Sequence, residues 1–267
     1  MMDPLSLVVL LVLGTLAGMI NAAVGSGSLL TLPVLLALGI PPGTAVRTNT
    51  LGIVFSTIGS VVGFRREIRA EGRALLPLVL VTFVCAAAGS VLLLVSPSEA
   101  LEKVVPILIV LALVLVVGQP WLTRRLAARR ARREAAGEEP SAASPYAHPG
   151  MLAAMGGAAV YGGYFTAAQG ILYMGILATG TGSSMVRINP VKNLLSLVVN
   201  VTAALVYLVA HLAFGAEILW LGAAAIAVGA LIGGYAGAHV AKRLPDIVLR
   251  GAIVVVALVA LARQMLG

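Results

Sequence analysis

Arg47 in Val46-Arg47-Thr48-Asn49 and Arg187 in Val186-Arg187-Ile188-Asn189 stand 140 positions apart, each two residues before an asparagine and each opening a long apolar run. A guanidinium stays charged when buried, and its planar fork matches the oxygens of a carboxylate, sulfonate or sulfite. Lys192 adds a third cation five residues beyond Arg187. The acidic residues, ten in all, fall in loops or at segment ends. Cation carriers and proton pumps keep an intramembrane carboxylate as counter-charge. This chain places cations there instead, which points to an anionic ligand. An arginine near a helix end also suits snorkelling to headgroups, and it is the recurrence at equivalent points that favours the anion.

Asn189, Asn193, Ser196 and Asn200 recur at i, i+4, i+7 and i+11, which puts them on one stripe of a helix. Asn49, Ser56 and Ser60 echo the stripe in the first half, with Ile53 in place of the second amide. The amides read as the lining of a hydrated path, and Ser56 and Ser60 as interhelical packing. Ahead of each arginine a turn interrupts the apolar pattern: Gly25-Ser26-Gly27-Ser28 in the first half and Ala168-Gln169-Gly170 in the second. A glycine turn into a helix N-terminus presents backbone N–H groups and the positive end of the helix dipole, a general anion site. Ser26, Ser28 and Gln169 add neutral donors.

The elements that must position these groups are membrane helices. The 267 residues are 60% hydrophobic and 10% charged, and the mean hydropathy of +1.05 lies outside the range of a soluble domain. Apolar segments run over 5–24, 28–38, 45–64, 74–95 and 104–122, then 151–168, 171–179, 186–211, 218–241 and 247–265. The fold class is therefore all-α: a polytopic membrane protein of about 8–10 segments. The short second segment of each half covers only about half of a hydrocarbon core. It reads as a broken or re-entrant helix, with a short, tilted span as the alternative.

Residues 1–122 make a first membrane repeat, 123–149 a basic cytoplasmic linker rich in alanine, glutamate and proline toward its end, and 150–267 a second repeat. The loop 65–73 holds four arginines, while its counterpart before Glu217 holds none. The loop 96–102 lacks arginine, while its counterpart holds Lys242, Arg243 and Arg250. The positive-inside rule then orients equivalent loops oppositely, giving inverted-topology repeats with both termini outside. Four spans per half in parallel is the other arrangement, and it strands one basic loop outside. Inversion also lets Arg47 and Arg187 approach one site from opposite sides.

The net charge of +8 owes much to six arginines between 124 and 133, a topology signal beside a membrane segment rather than a nucleic-acid surface. No nucleophile–base pair, phosphate loop or metal-ligand spacing occurs, so neither enzyme chemistry, cofactor nor metal is expected. The lone Cys85 reads as a packing residue. Tyr161, Tyr164, Tyr173 and Tyr207 read as interfacial anchors, with lining of the cavity as the alternative, and Trp121 and Trp220 as aromatic belts. The N-terminal Met-Met-Asp-Pro lacks the basic region of a cleaved signal peptide, so the first segment is expected to be retained.

The run Gly18-Met19-Ile20-Asn21-Ala22-Ala23-Val24-Gly25-Ser26-Gly27-Ser28-Leu29, then Leu38-Gly39-Ile40-Pro41-Pro42 and Ala45-Val46-Arg47-Thr48-Asn49, resembles the first repeat of the TauE/SafE family of sulfite exporter-like permeases. Gly162-Gly163-Tyr164-Phe165 through Gly170, with Asn189-Pro190-Val191-Lys192-Asn193, is similar to the second. Ser26 and Ser28 stand where that family often has only glycine. The resemblance implies a multi-pass inner-membrane permease for a small sulfur-containing anion such as sulfite or a sulfonate, with Lys192 as the basic residue after the second break. An anion channel and a membrane accessory subunit are the alternatives. The partners expected are that anion and the lipid bilayer; a coupling ion (H+ or Na+) and a homo-oligomer are left open.

Overall fold

The computed structural model describes residues 4–135 and 145–240. Among them there is no strand, and the helices run α1 (Pro4–Ala23), α2 (Ser28–Ala37), α3 (Pro42–Gly63), α4 (Arg65–Glu71), α5 (Leu76–Val95), α6 (Ser98–Ala135), α7 (Pro149–Phe165), α8 (Gln169–Thr181), α9 (Met185–Phe214) and α10 (Trp220–Val240), with single 3-10 turns at Gly72–Leu75 and Pro145–Ala147. Six stretches are helical, long and apolar enough to cross a membrane: Pro4–Ala23, Pro42–Gly63, Arg65–Val95, Ser98–Arg129, Met185–Phe214 and Trp220–His239. The chain is a polytopic all-helical membrane protein. The segment expected at 247–265 and the basic residues at 242–250 lie outside the described residues. The boundary expected at 122 falls inside α6, which carries the first part of the linker as helix to Ala135.

Polarity is turned inside out, as a bilayer demands. Leu5, Val84, Ile107, Val114, Leu212 and Phe214 are exposed on the outside of the bundle, while Asn21, Asn49, Asn193, Asn200 and Lys192 are buried within it. The halves interlock. Helix α10 packs on α1 and α3, and α5 packs on α7 and α9. Small residues bring these backbones together: a Cβ on Gly18 would lie 2.4 Å from the Ala230 carbonyl oxygen, and one on Gly163 2.2 Å from that of Ala86.

Local sequence explains where the helices stop. Helix α3 starts with Pro42 in its first turn, where a missing N–H costs nothing. Helix α9 ends on Gly215, left-handed at φ 68°, with the Gly215 and Ala216 amides donating to His211 and Ala210. The turn between α1 and α2 uses Gly25 at φ 85°. The turn between α7 and α8 uses no glycine for the equivalent bend: Thr166 and Ala168 adopt φ 60° and 59°, at a cost of roughly 1–2 kcal/mol each. Such strain persists only where packing over-determines it, and Ala168 is completely buried.

Candidate functional site

The two helix breaks meet. Gly170 donates its backbone N–H to the Gly25 carbonyl at 3.2 Å. A Cβ on either glycine would sit 2.5 Å from the other's Cα, so only glycine permits this crossing. The short segments α2 and α8 therefore start from one central point.

Helix α9 lies against this point. A helix C-terminus leaves carbonyls unpaired and carries partial negative charge, and α1 ends here with Asn21 and Ala22 buried. Lys192, fully buried, donates Nζ–H to the Asn21 and Ala22 carbonyls at 2.9 and 3.3 Å. The side-chain amides of Asn193 and Asn189 donate to the same Ala22 carbonyl at 3.1 and 3.3 Å. Farther along α9, Asn200 accepts from Gln169 Nε2 at 3.2 Å, at the first residue of α8. The stripe read from the sequence thus runs from the first break to the second over about 16 Å, at 1.5 Å per residue.

Helix α3 closes the other side. The Asn49 side-chain carbonyl accepts from Thr31 of α2, and Asn21 Nδ2 donates to Ser56 Oγ at 3.1 Å. Ser60 Oγ bonds the Ser56 and Gly234 carbonyls, the interhelical role expected of it. Several buried polar atoms have no hydrogen-bond partner: Ser26 Oγ, Asn49 Nδ2, Gln169 Oε1, Asn193 Oδ1 and Ser196 Oγ. An ammonium has three donors, and two of those on Lys192 are taken. A buried, apolar-sheathed core that keeps this much unspent hydrogen-bonding capacity has donors and acceptors to offer a ligand.

The arginines are elsewhere. Arg47 Nε donates to the Glu217 carbonyl at 3.0 Å and its Nη2 to Thr44 Oγ1 at 3.1 Å, while Thr44 donates to the Glu217 carboxylate at 3.3 Å. Arg187, with a side chain 68% exposed, pairs with Glu71 through Nε at 3.3 Å, and the Tyr146 hydroxyl donates to the other Glu71 oxygen at 3.1 Å. Burial and then the neighbouring Glu71 push the Tyr146 phenol up to about 12, so it stays a donor. Each arginine of one half is thus held by a glutamate of the other, Arg47 by Glu217 ahead of α10 and Arg187 by Glu71 at the end of α4. The N-terminal end of α3 lies by the C-terminal end of α9, and the reverse holds at the far end, so the two helices are antiparallel. The expectation that Arg47 and Arg187 approach one site is corrected: they mark opposite ends of the α3–α9 pair. Both sit within the first two turns of their helices, where side chains point back toward the N-terminus and away from the centre.

Among the other expectations, Gly25, Ser26, Gly27, Ser28, Gln169 and Gly170 lie at the joined breaks, all buried. Gly27 packs on α1: a Cβ there would lie 2.0 Å from the Ala17 carbonyl oxygen. Tyr173 and Tyr207 are not interfacial anchors but fully buried, and Tyr207 donates to the Gly163 carbonyl at 2.9 Å. Ser90 donates to the same oxygen at 3.2 Å, so neutral hydroxyls meet the end of α7 where a cation and amides meet the end of α1. Asn21 was missed as a joint between α3 and α9; a lone amide deep in an apolar segment was its signal. Thr31, Glu71 and Glu217 carried no sequence signal of their own. Two cavities lie apart from the centre. One, of about 470 Å³, is lined by Arg129, Arg132 and Ser184, and the other, of about 550 Å³, opens between α6, α7 and α8.

Six apolar spans among the described residues, around a buried cation and amides at two crossed helix breaks, have the construction of a membrane transporter. The chain belongs to the Sulfite exporter TauE/SafE family, whose model matches residues 10–264. It is 27% identical over 264 residues to the probable membrane transporter protein YfcA of Escherichia coli K12, covering 98% of this chain and 91% of that one. A probable membrane transporter protein, ORF9, of Sinorhizobium is 29% identical over 101 residues, 38% of this chain and 39% of that one. A third, of Haemophilus influenzae, is 30% identical over 103 residues, 39% and 40% of the two chains. No solved structure matches.

Proposed function

We propose that the chain is a cell-membrane permease for a small anion, a sulfur oxyanion or sulfonate in the first place, bound at the joined helix breaks and moved by alternating access. The observation that carries this is Lys192: a fully buried cation that, among the described residues, has a spare N–H and no carboxylate partner and is held by the carbonyls that end α1. The spare donor of Lys192, the free hydroxyls of Ser26 and Ser196 and the free Asn49 Nδ2 are donors of the kind that replace an oxyanion's water. Gly25 and Gly170 keep the helix starts close, and Asn189, Asn193, Asn200 and Gln169 extend the polar path.

The halves act as inverted-topology repeats. The antiparallel run of α3 and α9, the reciprocal packing of α10 and α5, and the alternation of basic loops all support this. In alternating access one repeat rocks against the other, and contacts at one end part while those at the other hold. Arg47 with Thr44 and Glu217 forms a latch at one end, and Arg187 with Glu71 and Tyr146 a latch at the other. In this reading the arrangement with both latches closed around a buried centre is the occluded one.

The test is reconstitution into liposomes with labelled sulfite, methanesulfonate, thiosulfate and acetate under separately imposed pH and sodium gradients. Saturable uptake of sulfite and methanesulfonate is expected. Absence of uptake for every anion under every gradient refutes the reading, and single-channel currents refute the alternating-access step.

A further inference from the structure

We infer that the central site accepts its anion only with a single net negative charge, so that a dianion must gain a proton before it is carried. This deepens the anion-permease reading and rests on it. Lys192 is the one charged side chain among the buried described residues. The two arginines that could have raised the charge are committed to Glu217 and Glu71 at the ends of α3 and α9.

Backbone charge does not change the count. Two helix C-termini, of α1 and α7, and two N-termini, of α2 and α8, converge on the breaks. Each contributes roughly half an elementary charge, negative for the first pair and positive for the second, and the four cancel. With Lys192 protonated, the centre without its anion therefore carries one positive charge. A monoanion makes the loaded centre neutral, the state that crosses an apolar surround most cheaply. A dianion leaves one uncompensated negative charge in a sheath of leucine, valine and alanine, and burying such a charge costs several kcal/mol. The amides and hydroxyls left over can bond a second charge but cannot neutralise it.

The experiment compares three probes in proteoliposomes holding the full-length protein. Methanesulfonate is a permanent monoanion, sulfate is a dianion across the neutral range, and sulfite loses its second proton within it. Initial uptake of each is measured from slightly acidic to slightly alkaline pH. Methanesulfonate reports whatever pH does to the protein itself. Relative to it, sulfite uptake is expected to fall about tenfold per pH unit on the alkaline side, following the hydrogensulfite fraction, and sulfate to be carried roughly 100-fold more slowly or less. Sulfate carried as fast as methanesulfonate, or a sulfite rate that holds or rises relative to methanesulfonate with pH, overturns the inference and leaves the permease standing. Uptake of none of the three removes both.

Discussion

Replacing Lys192 by methionine tests the site most directly, because volume is nearly kept and only the charge and its donors are lost. In the folded protein two charge-assisted hydrogen bonds disappear, each worth about 1.5–3 kcal/mol. The Ala22 carbonyl keeps Asn189 and Asn193, so only the Asn21 carbonyl loses its side-chain partner. Against this, the chain no longer desolvates an ammonium, itself a cost of several kcal/mol. The two nearly offset, and the thermal midpoint should move by only a few degrees. Transport has no such compensation. An anion entering a centre without a cation is a broken buried pair, at about 3–5 kcal/mol, which lowers uptake by roughly 100-fold or more. Initial uptake in proteoliposomes, normalised to folded protein recovered by size exclusion, reads this out. A Lys192→Met variant that folds normally and transports within about threefold of the parent refutes the assignment.

Gly170→Ala and Gly39→Ala separate the break contact from ordinary glycine strain. A Cβ on Gly170 meets the Gly25 backbone at 2.5 Å, whereas one on Gly39, at φ 78°, meets nothing within 4 Å. Gly39→Ala should lose about 1–2 kcal/mol and keep transport, and Gly170→Ala should lose more stability and all uptake; equal melting curves would contradict the crossing. Arg187→Ala and Glu71→Gln break an exposed pair worth about 0–1 kcal/mol, so the midpoint should barely move. If the pair is a latch, the maximal rate should change while the KM for the anion stays within about twofold, and a KM shift alone would place Arg187 in the site instead. Asn21→Leu removes the bond to Ser56 but leaves the backbone carbonyl that Lys192 holds, and is expected to lower stability by about 1–3 kcal/mol in a thermal melt.

Much of the architecture was legible because the bilayer leaves few choices. Segment lengths and hydropathy located most of the described helices to within a few residues, including the short α2 and α8, while α6 runs on to Ala135, well past the apolar segment expected to end at 122. Gly25 and Gly170 marked both breaks, though the second bend itself is made by Thr166 and Ala168, and the period of Asn189, Asn193 and Asn200 showed which face of α9 turns inward. Lys192 and the amides came out in the centre because a long apolar helix has one polar stripe and a bilayer leaves it one place to go.

The arginines show where that reasoning stops. Their type and repetition spoke for a shared anion, and nothing along the chain revealed that Glu217 and Glu71, 170 and 116 residues away, would hold them. Composition and periodicity are one-dimensional, and they decided what crosses the membrane, where the helices break and which face is polar. Which charges meet depends on how the halves interlock. Only the tertiary structure placed the two breaks backbone to backbone, turned α9 against α3, and left Lys192 as the single buried charge among the described residues. The Val-Arg-x-Asn echo records the repeat, while packing assigned its arginines to the ends and its neighbouring lysine to the centre.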